Sequence, residues 1–249
     1  MAKLGVNVDH IATLRSCRRG LFPDPLDAAA ICESCGCDSI VAHLREDRRH
    51  INDNDVQRLK KALKTRFNLE MSIYPEIVDI ACKLRPDQAT LVPERRQELT
   101  TEGGLDIIAN KNKIKETVKR LRDKGIEVSL FIDPDKKQIA AVGEVGAKII
   151  ELHTGKYAQA KTKAQSLKEL IKAVDFARGL GLVVNAGHGL DYDNVKAVAR
   201  IQGIEELNIG YSVICRSLFV GLENAVKEML ELINPAPFRY SKIPKYLNK

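Results

Sequence analysis

Eight short apolar runs, each followed by a stretch of helical pattern, predict an α/β chain that folds as a (β/α)8 barrel of the TIM type with extra helices. Length agrees, because 249 residues is a usual size for one such barrel. The third observation is where the reactive side chains fall. All five histidines (His10, His43, His50, His153 and His188) lie at, or just beyond, the carboxyl end of a predicted strand. The chain is therefore read as a single domain, 1–249, whose residues 235–249 form a basic C-terminal tail with three prolines.

In chain order, the first strand is placed at 4–8, and Asp24-Pro25 supplies an N-cap and a first-turn proline for a helix that closes at Gly36. The second strand is 39–44. Asn52 or Asp53 can cap the helix after it, in which Val56, Leu59 and Leu63 make an apolar stripe. The third strand is placed at 68–73, and Pro75 opens a helix that Pro86 stops. The fourth strand, 88–92, leads to a helix over 107–124 ending at Gly125. The fifth, 127–132, is followed by Pro134-Asp135 and a helix, and the sixth, 148–152, by a helix over 167–180 that Gly181 ends. After the seventh strand, 182–185, Asp191 can cap a helix; after the eighth, 206–209, the last helix is expected from Ser217 to about 233. The spacings after strands one, four and six exceed a minimal crossover, which leaves room for extra helices. An open doubly wound sheet is the alternative, but no glycine fingerprint follows the first strand.

With 44% apolar and 29% charged residues the composition is that of a globular protein with material for a sizeable core. No apolar run approaches a membrane span, and the N-terminus has no signal-peptide pattern, so a cytoplasmic address is expected. The net charge of +7 and pI near 9.0 invite a nucleic-acid partner. Aromatic residues are only 5%, Trp is absent and the basic residues are dispersed, so no nucleic acid is expected; small anionic substrates fit better. Cys32, Cys35 and Cys37 resemble metal ligands in spacing, yet Cys32 and Cys35 fall on a helical pattern and no second pair follows. They are read as small thiols near a helix end, not as a zinc site or disulfide partners.

The chemistry concentrates where barrel strands converge. The stretch 40–51, IVAHLREDRRHI, turns from strand into His43, Arg45 and His50, and strand one ends in Asn7, Asp9 and His10. Glu70 interrupts an apolar strand, so it points inward or is paired. Inward, desolvation would raise its pKa towards a proton-shuttling range. Glu151 poses the same question. NAGHGL at 185–190 and NIGYS at 208–212 follow strands seven and eight, the loops that with a helix N-terminus often cradle phosphate in barrels. Thr100, Thr101 and the pair Gly103-Gly104 follow strand four, and Arg15, Arg18, Arg19 and Arg45 supply cations for two anions. A barrel metallohydrolase would offer H-x-H on its first strand; D-H stands here, beside arginines, so no metal is expected.

Six segments carry a resemblance: NVDHIATLR (7–15), HLREDRRHI (43–51), NLEM (68–71), LVPERRQELTTEGGLD (91–106), HTGKYA (153–158) and VNAGHGL (184–190). In order and spacing, to about residue 233, they resemble the pyridoxine 5′-phosphate synthase family. The resemblance implies a (β/α)8 barrel with additional helices, assembled as a homo-oligomer, typically an octamer. It implies condensation of 1-deoxy-D-xylulose 5-phosphate with 3-amino-2-oxopropyl phosphate to pyridoxine 5′-phosphate, inorganic phosphate and water, with no cofactor and no metal. Carried over by position, it puts proton transfer on His43, Glu70 and His188, and a steadying role for a charged intermediate on Glu151. Asn7, Arg18 and the backbone at Gly189, Gly210 and Tyr211 match the site for the amino ketone phosphate. Asp9, His10, Arg45, His50 and Thr100 match the site for deoxyxylulose phosphate. Many family members have His after the strand-eight glycine, where this chain has Tyr211; the contact implied there runs through the backbone N–H. A ligand-binding barrel without turnover would have lost acid–base residues, and a Schiff-base aldolase would need a strand-end lysine, which this chain lacks.

Overall fold

A computed structural model describes residues 2–94 and 103–234. Eight parallel strands close into a barrel in chain order: β1 (Lys3–Asn7), β2 (Ser39–Leu44), β3 (Arg66–Met71), β4 (Gln88–Leu91), β5 (Glu127–Ile132), β6 (Ile149–His153), β7 (Val183–Gly187) and β8 (Ile204–Ile209), with β8 pairing back to β1. Alternation explains both faces. Leu4 and Val6, Ile40, Ala42 and Leu44, Leu69 and Met71, Leu130 and Ile132, Ile150 and Leu152, and Leu207 and Ile209 all belong to one core cluster shared with the helices. The residues between them are mostly polar, with Gly5, Val41 and Phe131 as exceptions. The pairings Asn68↔Gln88, Glu70↔Thr90, Thr90↔Ser129, Glu151↔Asn185 and Gly5↔Asn208 put a buried polar lining inside the barrel. Within it Gln88 Nε2 donates to Thr90 Oγ1 (3.2 Å), whose hydroxyl donates to Asn68 Oδ1 (2.8 Å). Barrel interiors are more often branched and aliphatic, and the apolar look of these runs in the sequence comes mainly from the outer half of each strand.

The helices follow their punctuation where caps exist. The Asp24 carboxylate accepts from Leu26 N ahead of α2 (Pro25–Ser34), and Asn52 with Asp55 forms a reciprocal capping box on α3 (Asp53–Ala62). Pro75 opens α4 (Pro75–Leu84). The sequence placed strand three two residues late, and helix 107–124 is shorter as α5 (Lys111–Arg122). The helix after β5 is α6 (Lys136–Ala141), closed by a 3-10 turn at Gly143–Val145. The long spacings hold two extra helices: α1 (Asp9–Cys17) directly after β1, and α7 (Gly155–Gln159) before α8 (Lys163–Gly179). Asp191 accepts from Asp193 N and Asn194 N, and the short α9 (Val195–Ala199) follows that turn. The last helix is really two. The first, α10 (Tyr211–Val220), begins at the end of β8 rather than at Ser217, and Gly221, at φ 81°, separates it from α11 (Leu222–Ile233).

All six cysteines are free; Cys32 is wholly buried, and burial pushes its thiol up to about 12. No helix among the described residues is long and apolar enough to cross a membrane. The expected basic tail, 235–249, lies outside the described residues.

One expectation needs correcting here. Arg15 is not available for an anion, because its guanidinium grips Asp55 with two bonds (2.7 and 2.6 Å) and reaches the His50 carbonyl (3.2 Å). This pair ties α1 to α3 beneath the His50 loop, and both side chains are nearly buried. Asp55→Ala would strand the guanidinium and open the capping box, so it should lower the unfolding free energy by roughly 3–5 kcal/mol in denaturant melts. A loss under about 1 kcal/mol would show that the pair behaves as a surface bridge.

Candidate active site

The carboxyl ends of the strands gather most of the expected residues into one mouth. Asn7 and Asp9 brace each other: Asn7 Nδ2 donates to Asp9 Oδ2, and Asp9 N donates to Asn7 Oδ1, both at 2.8 Å. The other Asp9 oxygen accepts from His43 N (2.8 Å), which links strands one and two. Asp9, His43 and Glu70 each bring one donor atom to within 4.8 Å of the others. By atom type this trio would suit a divalent cation. Two of the three are also tied into a hydrogen-bonded network, since Asp9 accepts from Asn7 and from the His43 backbone, and His43 Nε2 lies 2.8 Å from Glu94 Oε1.

Glu94 has no role in the sequence reading, and the structure gives it one. It sits at the end of strand four, buried, holding His43 through one oxygen and Glu46 N through the other (3.0 Å). Burial would raise its carboxyl, but the bond to His43, Glu46 N and the charge of Arg45 outweigh that and lower it. Arg45 is buried alongside, its Nε 3.4 Å from Asp47 Oδ1. The His50 ring stands edge-on to His43 at 6.2 Å, and Ile51 N donates to its Nδ1 (2.8 Å), which leaves Nε2 as the protonated nitrogen of the neutral ring. Burial lowers the affinity of His50, and of His10, for a second proton. His10 lies on α1 with its ring 5.2 Å from that of Tyr211.

Glu70 points into the mouth from β3, and among the described residues no ion pair engages it. Burial, then the neighbouring Glu151 and Asp9 carboxylates, raise its pKa well above the ordinary value. Glu151, on β6, is buried, and that burial pushes it up to about 7 despite the bond that Asn208 Nδ2 donates to its Oε2 (2.7 Å). Just past the neighbouring strand β7 stands His188, at φ 80°, held neutral by burial and by the adjacent His153 imidazole, which depress it to about 4. Gly189, at φ 77°, leaves no room for a side chain, since a Cβ there would lie 2.8 Å from Ala158 Cβ. Gly210 approaches Asn7 just as closely and caps α10, whose first residue, Tyr211, is 67% exposed. The helix N-terminus expected beside the glycine loops is therefore present, six residues earlier than the sequence placed it.

Two expected residues are not brought onto this network. Arg18 is exposed at the C-cap of α1, and Thr100 lies outside the described residues. Besides Glu94, sequence reasoning gave no role to Asp133 and none beyond its position to His153; the β5–β6 pairing brings these two together.

The chain resembles known proteins along almost its whole length. The family model described as "Pyridoxal phosphate biosynthesis protein PdxJ" matches residues 4–235. A pyridoxine 5′-phosphate synthase of Pelobacter propionicus is 54% identical over 239 residues, 95% of this chain and 100% of the relative. One from a Synechococcus species is 56% identical over 232 residues, 92% and 97% of the two chains. Among solved structures, KGPDC from Streptococcus mutans matches with a TM-score of 0.65 at 13% identity, covering 94% of this chain and 97% of that one. A 3-hexulose-6-phosphate synthase gives 0.65 at 18%, covering 92% and 99%. Both likenesses are to the fold.

Glu151 makes stability depend on pH. Its proton is held more tightly in the fold than in the unfolded chain, so between about pH 4.5 and 7 the folded state binds more protons and stability falls as pH rises. Glu151→Gln should remove that loss, and the melting temperature of the variant should decline less between about pH 5 and 8 than that of the parent. Parallel curves would mean that this carboxyl titrates normally.

Proposed function

The chain belongs to the pyridoxal phosphate biosynthesis family PdxJ, and we infer from that membership and from the mouth's chemistry how it acts as a pyridoxine 5′-phosphate synthase. It condenses 1-deoxy-D-xylulose 5-phosphate with 3-amino-2-oxopropyl phosphate and closes the ring with loss of phosphate and water. The observation that best supports this is Glu70: a carboxyl with no counter-ion among the described residues, facing His43 and Asp9, and kept protonated well above its ordinary range.

The reaction moves a proton at every stage. An amine adds to a ketone, the carbinolamine loses water to an imine, phosphate and water leave, a carbon–carbon bond closes the ring, and the ring aromatises. Glu70, whose burial and carboxylate neighbours favour its protonated form, serves as general acid to a departing hydroxyl, its conjugate base then accepting a proton. His43, oriented by Glu94, exchanges protons on the same side. His188 is neutral at pH 7 and acts as an acceptor or a neutral N–H donor across the mouth. Glu151, near the midpoint of its titration at neutral pH, ionises beside a cationic imine and is neutral without one, with Asn208 holding the charged form.

Two anion sites flank this centre. Asn7, Arg18 and the backbone at Gly189, Gly210 and Tyr211 bind the amino ketone phosphate, the start of α10 supplying free N–H groups. Asp9, His10, Arg45, His50 and Thr100 hold deoxyxylulose phosphate. The assembly is a homo-oligomer, an octamer. Leu14, Leu21, Phe22, Leu218 and Phe219, exposed around α1 and α10, give it an apolar contact surface. Six free thiols suit the reducing cytoplasm.

Mixing the protein with both substrates should release phosphate and produce the absorbance of pyridoxine 5′-phosphate at the same rate with and without a chelator. A reproducible metal requirement would instead assign Asp9, His43 and Glu70 to a cation. Glu70→Gln should reduce turnover by about 10²–10⁴-fold with substrate binding nearly intact. Turnover within tenfold of the parent removes the role.

Tyr211 tests the backbone contact. Tyr211→Phe keeps the amide and the ring, so activity and phosphate affinity should stay within about threefold, under ~1 kcal/mol. Gly210→Val would drive a side chain into Asn7, 2.8 Å from a Cβ, and should cost amino ketone phosphate binding heavily. Equal damage by both changes would make the tyrosine hydroxyl a binding or catalytic group.

A further inference from the structure

We propose that Asp133 and His153 form a positioning pair for His188, fixing its ring orientation and protonation state. The functional consequence rests on the proton-transfer role given to His188 above; the pairing itself does not.

His153 ends β6 with its Nδ1 2.9 Å from Asp133 Oδ1, just past the end of β5. The Nδ1–H donates to the carboxylate, so the neutral ring carries its lone pair on Nε2. The bond to His153, ahead of the opposing effect of burial, holds the Asp133 carboxyl below the ordinary carboxylate range. The groups facing His188 include this imidazole, edge to face with centroids 5.0 Å apart, and the Phe131 ring at 6.2 Å. Phe131 also packs on His153 at 5.1 Å, so three rings from β5, β6 and β7 lock one another.

The two residues after His153 serve the same loop. Thr154 N donates to the Gly187 carbonyl (2.8 Å), and its hydroxyl lies 2.6 Å from the carbonyl oxygens of both Gly187 and His188. Those bonds hold His188 at φ 80°, a conformation costly for a residue with a side chain and retained only where its surroundings over-determine it. Gly155 is glycine for a local reason: a Cβ there would stand 2.5 Å from His153 Nε2 and push the ring off Asp133. The run His153-Thr154-Gly155 thus acts on His188 through its ring, its carbonyl and the space around both. None of the three makes a described bond to Asp9, His43 or Glu70, which separates the pair from the network on the other side of the mouth.

The test uses two variants of the full chain. Asp133→Asn changes a half-exposed carboxylate and keeps its size, and His153→Phe keeps an aromatic ring against Phe131 and His188. Each should lower kcat by about 10–100-fold while KM for both substrates stays within about threefold, as for residues that orient a reacting group without touching substrate. In nitrogen-resolved NMR the His188 ring resonances should move in both variants. Its titration midpoint should rise in His153→Phe, where the imidazole that depresses it is gone. Unmoved His188 resonances overturn the proposal whatever the rates do, and so does kcat within threefold of the parent in both variants. If His153→Phe does not fold, Asp133→Asn decides alone. His188→Gln with full turnover would defeat the role of His188, and the NMR coupling would still decide the pairing.

Discussion

The bond from Asn208 Nδ2 to Glu151 Oε2 is the interaction around which the mouth is built. It lets a carboxylate lie inside the barrel with no counter-ion among the described residues, at a pKa of about 7. Its geometry dictates the neighbours. A Cβ on Gly187 would stand 2.2 Å from Glu151 Oε1, and one on Gly5 would stand 2.1 Å from Asn208 Oδ1, so the strands on either side carry glycine where the pair needs room. Gly187 in turn delivers its carbonyl to Thr154 and places His188 one residue on. The steadying carboxyl and the histidine loop are thus set by one packing problem. Glu70 is a further carboxyl with no counter-ion among the described residues, and the proximity of Glu151 is part of why its pKa is raised.

Much of this was legible. Eight strands can be read because a residue facing the helices must be apolar, and the histidines can be placed because strand ends are short and punctuated. The polar lining escaped notice for the same reason that the strands were found. In SIVAHL or RFNLEM, attention to the apolar positions hides that Ser39 and Asn68 join His43 and Glu70 in alternating with them on the inner face. The two missed helix starts share a cause. At α1 the N-cap is Val8, and at α10 it is Gly210; neither has a side chain that bonds back to the first turn. A helix that grows straight from a strand end carries no cap residue to announce it, so Asp9 and His10 looked like loop and Ser217 looked like a start.

The partners of the histidines were illegible for a different reason. Glu94 and His43 are 51 residues apart, and Asp133 and His153 are 20 apart, on different strands whose registers set which ends face each other. Single-chain reading supplies candidates at strand ends but cannot pair them, and Arg15 shows the cost. It stands in the same motif as Asn7 and Asp9, yet Asp55 on α3 claims it.

The pairing decides how the histidines differ. His43 has a buried carboxylate 2.8 Å from its Nε2, which fixes the orientation of the ring. For His188 the neighbouring imidazole and burial both work against a second proton. The two rings therefore stand in different settings, one against a buried carboxylate and the other against a second imidazole. The carboxyls divide as well: bonds from His43 and Glu46 N lower Glu94 against its burial, burial and the neighbouring carboxylates raise Glu70, and burial raises Glu151 to about 7. Residue types alone would predict a mouth of interchangeable acids and bases. The hydrogen-bond network makes each of them distinct.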